Sequence, residues 1–365
     1  MHRQNYTTTV RLPASSSRSY PITIRAGLLG EAAALIARAA GAGAVFLLTD
    51  TTVGRLYGRR LHRQCAGIVT RCAFLDVPPG EHSKRMRLYN TLATRLLALG
   101  ARRDSLIVAL GGGVVGDLAG FVAATLLRGV PFIQIPTSLL AQLDSSVGGK
   151  VGIDHALGKN MLGAFYQPRA VLIDPSVLRT LPLREFRGGL AELVKIALAL
   201  DAGLFRQIER LAPRIKRSAG PLLSGLIWRA VSLKAAVVMK DEFESGLRKT
   251  LNLGHTVGHA VEAASAYRIR HGEAVSIGLA VEARIASRMG LLEEGSLERI
   301  LAVLRALGLP RTVPGRIDRR RFVRALSLDK KFIGTETAYV LPAGIGRSAI
   351  GVRVPGNLLD EVLGS

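Results

Sequence analysis

The chain has 365 residues, 48% of them hydrophobic, and a formal net charge of +23. That length accommodates two domains with separate cores, and that apolar content excludes an extended disordered chain. The charge favours anionic ligands, yet no zinc-finger spacing, RNA-binding aromatic motif or basic heptad accompanies it, so no specific nucleic-acid partner is expected.

Arginine clusters such as Arg316, Arg319, Arg320, Arg321 and Arg324 read as solvated surface. The opening "MHRQNYTTTVRLPASSSRSYPITI" has no long apolar run. No stretch approaches the eighteen or so uninterrupted apolar residues of a membrane helix, so a cytoplasmic chain without a membrane partner is expected. The two cysteines, Cys65 and Cys72, lack a CxxC pattern and read as small buried thiols.

In chain order, "AVFLLTD" (44–50), "SLIVALGGG" (105–113), "VPFIQIPTS" (130–138) and "AVLIDP" (170–175) are short apolar runs ending in turn residues. Helical patterns such as "RMRLYNTLATRLLALG" (85–100) separate them, which predicts a parallel α/β sheet with both faces covered. After about Pro182 the texture changes. "FRGGLAELVKIALAL", "LIWRAVSLKAAVVMKDEFES", "GEAVSIGLAVEARIASRMG" and "SLERILAVLRALGLP" carry the 3.6-residue period of amphipathic helices. An α/β domain to roughly residue 180 and a mainly helical domain after it are expected.

Gly111, Gly113 and Gly116 form a GxGxxG pattern after a strand and at the start of a helix. Glycines there let the backbone turn tightly and approach a pyrophosphate, whose charge meets the helix N-terminal amides. No acid follows about twenty residues later to take a ribose hydroxyl, as the standard dinucleotide fold requires. Asp50, at the end of an earlier strand, could serve instead.

Next, "AQLDSSVGGKVGIDHALGKNMLGAF" places Gly148-Gly149-Lys150 and Gly158-Lys159-Asn160 close together, just after Asp144 and Ser145. Glycine beside lysine brings free amides and a charge to an oxyanion. Neither lysine is followed by the Ser or Thr of a Walker A motif, so a small phosphorylated substrate is expected.

In "GLAELVKIAL", Glu192 and Lys195 lie one turn apart on an otherwise apolar helix. Buried charges are costly unless paired or bound to metal, which makes Glu192 a candidate ligand. "LNLGHTVGHAVEAASAYRIRHGEAVSIG" holds three of the seven histidines: His255, His259 and His271. One carboxylate and two imidazoles with open positions describe a catalytic zinc site. The imidazole pair could be His255 with His259, four apart on one face, or His255 with His271. Lys234, Arg248 and Asn252 would surround such a metal with groups for an anionic substrate.

Together, "ALGGGVVGDLAGF", "RGVPFIQIPTSLLAQLDSSVGGK", "LGKNMLGAFYQP", "GLAELVKIAL", "GLRKTLNLGHTVGHA" and "HGEAVSIG" resemble the 3-dehydroquinate synthase family of sugar phosphate cyclases. The likeness runs from about Tyr20 to "LPAGIGRS" near the C-terminus. It implies conversion of 3-deoxy-D-arabino-heptulosonate 7-phosphate (DAHP), a phosphorylated keto acid, into 3-dehydroquinate and phosphate, in the shikimate pathway. The course would be oxidation by NAD, phosphate elimination, reduction and aldol closure, with zinc or cobalt present.

The resemblance further implies a Rossmann-like NAD-binding domain over residues 1–180 and a helical metal- and substrate-binding domain over 181–365. These would enclose the site between them, in a homodimer. The implied metal ligands are Glu192, His255 and His271, leaving His259 to the substrate. NAD contacts would fall on Asp50, Glu81, Lys84, Gly112, Gly113, Val114, Val115, Gly116, Asp117, Thr137, Ser138, Lys150 and Lys159. Val177, Leu178, Arg179 and Thr180 complete that set.

Substrate contacts would be Asp144, Lys150, Asn160, Lys195, Lys234, Arg248, Asn252 and His259. One of Lys330 and Lys331 would join them, and Arg128 would reach the phosphate from the other subunit. Two departures stand out: Ser138 replaces a frequent threonine and keeps the hydroxyl, and Phe243 replaces a common arginine. Cyclases acting on sedoheptulose 7-phosphate or glucose 6-phosphate meet no substrate carboxylate and are expected to differ around Arg248 and Asn252. A metal-dependent alcohol dehydrogenase on a related fold would not need the Gly-Lys segment.

Overall fold

The computed structural model describes residues 5–12, 18–215, 221–315, 317–318, 320–326 and 338–364. Lys330 and Lys331, and Arg316 and Arg319 of the basic cluster, lie outside the described residues. By internal packing the chain forms two units, one within Met1–Leu181 and Ala219–Glu242, the other within Pro182–Ser218 and Phe243–Ser365.

The elements begin with β1 (Tyr6–Val10), β2 (Tyr20–Ile24), α1 (Ala32–Ala40), β3 (Val45–Asp50), α2 (Arg59–Ala66) and β4 (Cys72–Val77). Then come α3 (Met86–Ala98), β5 (Leu106–Gly111), α4 (Gly113–Thr125), β6 (Phe132–Pro136), β7 (Lys150–His155), β8 (Gly158–Phe165) and β9 (Ala170–Ile173). The helical stretch holds α5 (Leu183–Leu200), α6 (Ala202–Ile215), α7 (Pro221–Lys240), α8 (His255–Ala264), α9 (His271–Arg288) and α10 (Glu294–Ala306). A hairpin of β10 (Ala338–Pro342) and β11 (Ser348–Arg353) follows.

The first unit is built on a seven-stranded sheet in the order β1-β2-β9-β6-β5-β3-β4. Only the β1–β2 pair is antiparallel. β3, β5 and β6 are buried along their whole length, which is why they read as unbroken apolar runs. Their side chains alternate between two cores. Phe46, Leu48, Ile107 and Ala109 pack with Leu92, Leu118 and Val122 on one face. Val45, Leu47, Val108 and Leu110 pack with Ile36, Leu61 and Cys65 on the other.

Three features differ from the sequence expectation. The edge strand β1 and its antiparallel neighbour β2 carry no strong apolar run of their own. The Gly-Lys segment is a two-stranded hairpin, β7–β8, with the turn between His155 and Gly158. And α7, which reads with the helical half, packs on β1 and the segment Ala141–Ser145 of the sheet unit. Trp228 of α7 stacks on Tyr6 with ring centroids 5.3 Å apart. Within α7, Leu222–Lys240 is long and apolar enough to cross a membrane by composition alone, with a mean hydropathy of 1.6; 56% of it is buried in the fold.

In the second unit α9 is the central helix, packed by α8, α5, α10 and β10. Burial on all sides explains why its apolar residues run nearly all round. Glycines let the backbones touch. A Cβ on Gly272 would stand 2.3 Å from Gly188 Cα, and one on Gly278 would stand 1.9 Å from the carbonyl oxygen of Gly254.

Candidate functional site

In the sheet unit, strand order reverses beside β3: β4 follows on one side and β5 on the other. Ligands of open parallel sheets bind at the carboxyl ends of strands around such a switch point. Asp50 closes β3, Gly111 closes β5 with Gly112 next, and Thr137 and Ser138 follow β6, with Thr137 N–H donating to Gly111 O at 2.8 Å.

Gly112 N-caps α4 in an extended conformation and offers no side chain to its first turn, formed by Gly113, Val114, Val115 and Gly116. None of these glycines has positive φ. Their requirement is close approach: a Cβ on Gly111 would meet Val115 Cβ at 2.6 Å, and one on Gly116 would meet Gln134 Oε1 at 2.5 Å. Asp50 Oδ1 accepts from the N–H groups of Thr52 and Val53, while its Oδ2 accepts from no described residue. That oxygen suits a ribose hydroxyl. Val177, Leu178, Arg179 and Thr180 form a short 3-10 turn after β9. Tyr57 Oη bonds Thr180 Oγ1 at 2.6 Å there, beside a cavity of about 410 Å³ also lined by Arg60, Gln64 and Asp174. An uncapped helix end and a free acid oxygen fit a bound dinucleotide.

Lys84 is a buried hub. Its Nζ donates to Asp117 Oδ2 at 2.8 Å and to Asn160 Oδ1, with Glu81 Oε1 at 3.8 Å. Burial lowers the pKa of this ammonium, but Asp117 and Glu81 outweigh it and raise the pKa overall. Burial likewise lifts Asp117 against the pull of Lys84. Asn160 holds a left-handed φ of 56°, and its N–H donates to Asp154 Oδ1 at 2.9 Å. Lys159 Nζ stands 3.9 Å from Glu81. Lys150 opens β7 and is exposed. Lys234 of α7, 5% exposed, reaches both the carboxylate and the backbone oxygen of Asp144. Leu127 and Arg128 both take positive φ, 52° and 65°, so Arg128 sits on a strained turn.

The helical unit holds the histidines. Glu192, fully buried in mid-α5, has Lys195 Nζ 2.6 Å from Oε2. Its Oε1 faces His271 Nε2 at 3.3 Å and His255 Nε2 at 3.7 Å. The ligand atoms of these three side chains lie within 4.8 Å of one another. Neither Glu192 oxygen is met by a donor in hydrogen-bond alignment. Oε1 facing two imidazole nitrogens, with Oε2 paired to Lys195, forms a donor set that fits a divalent cation. The exposed His259 forms a second such group with Glu262 and His271, its ring 5.2 Å from that of His255 and 6.0 Å from that of His271.

Charge in this cluster is finely divided. Burial raises Glu192, but Lys195 and His271 overcome it and hold the carboxyl down at about 2. Burial lowers His271, but Glu192 and Glu262 outweigh it and raise the ring to about 9. His255 is pushed well below its ordinary value by burial and by the charges of Lys195, His259 and His271. A metal bound to His271 would compete with protonation of that ring. Arg248 is 2% exposed within the turn Leu247–Asn252, and Asn252 Nδ2 donates to Glu244 Oε1 at 2.6 Å.

Three acids here are missing from the sequence expectation. Glu262 Oε2 accepts from His271 Nδ1 at 3.0 Å, which orients that ring and leaves Nε2 for a ligand bond. Glu244 pairs with Asn252, and Glu282 binds the start of α8. Glu262 follows His259 by three residues on one helix face, so the i, i+3 spacing could have nominated it.

Comparison with known proteins places these features. The family model for the 3-dehydroquinate synthase N-terminal domain matches residues 74–188, and that for the C-terminal domain matches residues 189–332. The chain is 44% identical over 362 residues to a 3-dehydroquinate synthase of Synechococcus sp., covering 97% of this chain and 98% of that one. A solved 2-epi-5-epi-valiolone synthase from Streptomyces hygroscopicus, with NAD+ and Zn2+ bound, superposes with a TM-score of 0.88 at 30% identity; the match covers 97% of this chain and 98% of that one. A 2-deoxy-scyllo-inosose synthase complexed with carbaglucose-6-phosphate, NAD+ and Co2+ gives 0.89 at 28% identity, covering 98% and 99%. With both halves matched in order and a curated relative alike from end to end, the chain belongs to the 3-dehydroquinate synthase family.

Proposed function

We propose that the protein converts DAHP into 3-dehydroquinate and phosphate, using NAD and a divalent metal, zinc or cobalt. Near full-length likeness to a 3-dehydroquinate synthase supports the reaction. The observation that carries the metal is Glu192, buried with its Oε1 in front of two imidazole nitrogens. Glu192, His255 and His271 would hold it. When bound, it would supply Lewis acidity toward a substrate hydroxyl. NAD, held at Asp50, Gly112–Asp117, Thr137, Ser138 and Val177–Thr180, would take up and return a hydride, leaving no net redox change.

The chain's own side chains bind and orient. Lys150 and Asn160 hold the departing phosphate, whose charge grows as the C–O bond breaks. Arg248 takes the substrate carboxylate through its planar fork, with geometry a lysine does not match. Asp144, Lys195, Lys234, Asn252 and His259 complete the polar contacts. The active form is a homodimer in the cytoplasm, in which Arg128 serves the phosphate bound to the partner subunit.

Phosphate release from DAHP tests this reading, with and without NAD+, and after chelation with zinc restored. Release that needs both cofactors with no NADH accumulating is expected. Turnover of sedoheptulose 7-phosphate in place of DAHP would overturn the role of Arg248. Net NADH from a simple alcohol would overturn the cyclase reading altogether.

A further inference from the structure

We propose that Glu282 is a positioning residue for the metal site: through the Leu253–Gly254 peptide it fixes the tautomer and aim of His255. The inference rests on the proposed metal role of His255.

Glu282 lies in α9 with no exposed surface. Among the described residues it has no ionic partner. Its bonds go to backbone: Gly254 N–H donates to Oε2 at 2.5 Å, and Val257 N–H donates to Oε1 at 3.3 Å. A buried acid without a cation is costly and calls for a compensating task. Part of that task is local. Gly254, the N-cap of α8, has φ 79° and no side chain to cap the helix, so Glu282 caps it from the neighbouring helix.

The other part reaches His255. Its Nδ1 lies 3.2 Å from Leu253 O. Leu253 O and Gly254 N–H belong to one planar peptide unit. Glu282 holds the N–H end of that plane, so the carbonyl end stays aimed at His255 Nδ1. A proton is thereby kept on Nδ1, and the lone pair of Nε2 is left toward Glu192 Oε1, 3.7 Å away. Gly278, one turn before Glu282 on α9, lets the helices approach closely enough for this reach. Glutamine at this position keeps the shape but turns an amide NH2 toward one of the two backbone N–H groups.

The test is Co2+ binding to full-length protein, by chelator competition and by the d–d absorption bands. Wild type, Glu282→Gln and His255→Ala are compared. Measured above pH 8, where the Glu282 carboxyl is ionised and accepts with both oxygens, Glu282→Gln should bind Co2+ about tenfold or more weakly, with shifted bands, the range typical of groups that orient a metal ligand. Equal affinity and identical bands in wild type and Glu282→Gln would overturn the proposal while leaving the metal reading intact. Absence of stoichiometric Co2+ in wild type would overturn the metal reading instead. A second measurement is 15N spectroscopy of histidine-labelled, metal-free wild type, which decides even if the variant fails to fold. His255 should show the Nδ1–H tautomer, and an Nε2–H tautomer would overturn the proposal.

Discussion

The two units build their candidate sites in opposite ways. In the sheet unit, the groups sit where strands end, on backbone amides and turn residues supplied one strand at a time. In the helical unit, the groups sit in mid-helix and at helix starts, on side chains from α5, α8 and α9 that share one buried acid. An edge site tolerates small shifts of any one loop. A mid-helix site depends on how closely the helices pack, so one added carbon can move a ligand.

Removing the acid at the centre of the helical unit should have the largest effect. Glu192→Ala removes one partner of a buried ion pair with Lys195, which typically costs about 3–5 kcal/mol. Urea unfolding of the metal-free variant would show it, and Co2+ binding should be lost. Stability equal to wild type would mean that the Glu192–Lys195 pair is not structural.

Helix contact is tested next. Gly278→Ala points a Cβ at the carbonyl of Gly254, a backbone atom that cannot swing aside. A loss near the upper end of the usual overpacking range, about 3 kcal/mol, is expected, with weakened metal binding because His255 is the next residue. An unchanged melting curve would refute the close packing.

Arg248→Ala should lower DAHP turnover at least about tenfold, the cost of losing one charge-assisted contact of about 1.5–3 kcal/mol. Metal binding should be unaffected. An unchanged rate would remove Arg248 from carboxylate binding.

A pH series sharpens the same contrast. Burial raises the Glu282 carboxyl to about 8 from an ordinary 4.5, against the lowering by its two backbone bonds. The folded state thus holds this proton more tightly than the unfolded chain. The associated stability is complete below 4.5 and lost as pH rises through 8. Metal-free wild type should lose up to about 1.4 kcal/mol per pH unit from this group between pH 5 and 8. Glu282→Gln should flatten that slope, and equal slopes in both proteins would exclude Glu282 as its source.

Gly116→Ala should have the smallest effect. Its Cβ meets the movable end of Gln134, and alanine is the better helix former by about 0.5–1 kcal/mol. A net change within about 1 kcal/mol is expected. A loss as large as that of Gly278→Ala would erase the distinction between the units.

Legibility in the sequence follows the same division. β3, β5, β6 and β9 are readable because burial on both faces leaves unbroken apolar runs. β1 and β2 are not, because an antiparallel edge pair needs no such run. The placement of α7 is also hidden: its apolar surface does not say which unit it covers. Glycine at positions 111–116 suggests a tight turn, whereas the structure shows steric need without positive φ. For the histidines, spacing leaves two pairings open, because four residues on one helix and two adjoining helix starts look equally good. Only tertiary packing brings both Nε2 atoms of His255 and His271 toward one oxygen. Glu282 is legible as a buried acid only once its helix is placed.

The Lys84 hub ties α4, through Asp117, to the β7–β8 hairpin, through Asn160. Thermodynamic linkage then constrains the order of events. On the proposed reading, with a nucleotide at the α4 turn and phosphate at the hairpin, whatever free energy one transmits to the other must be returned in equal measure. Retention of the cofactor and release of the product would then be two readings of a single coupling free energy, with one lysine as its carrier.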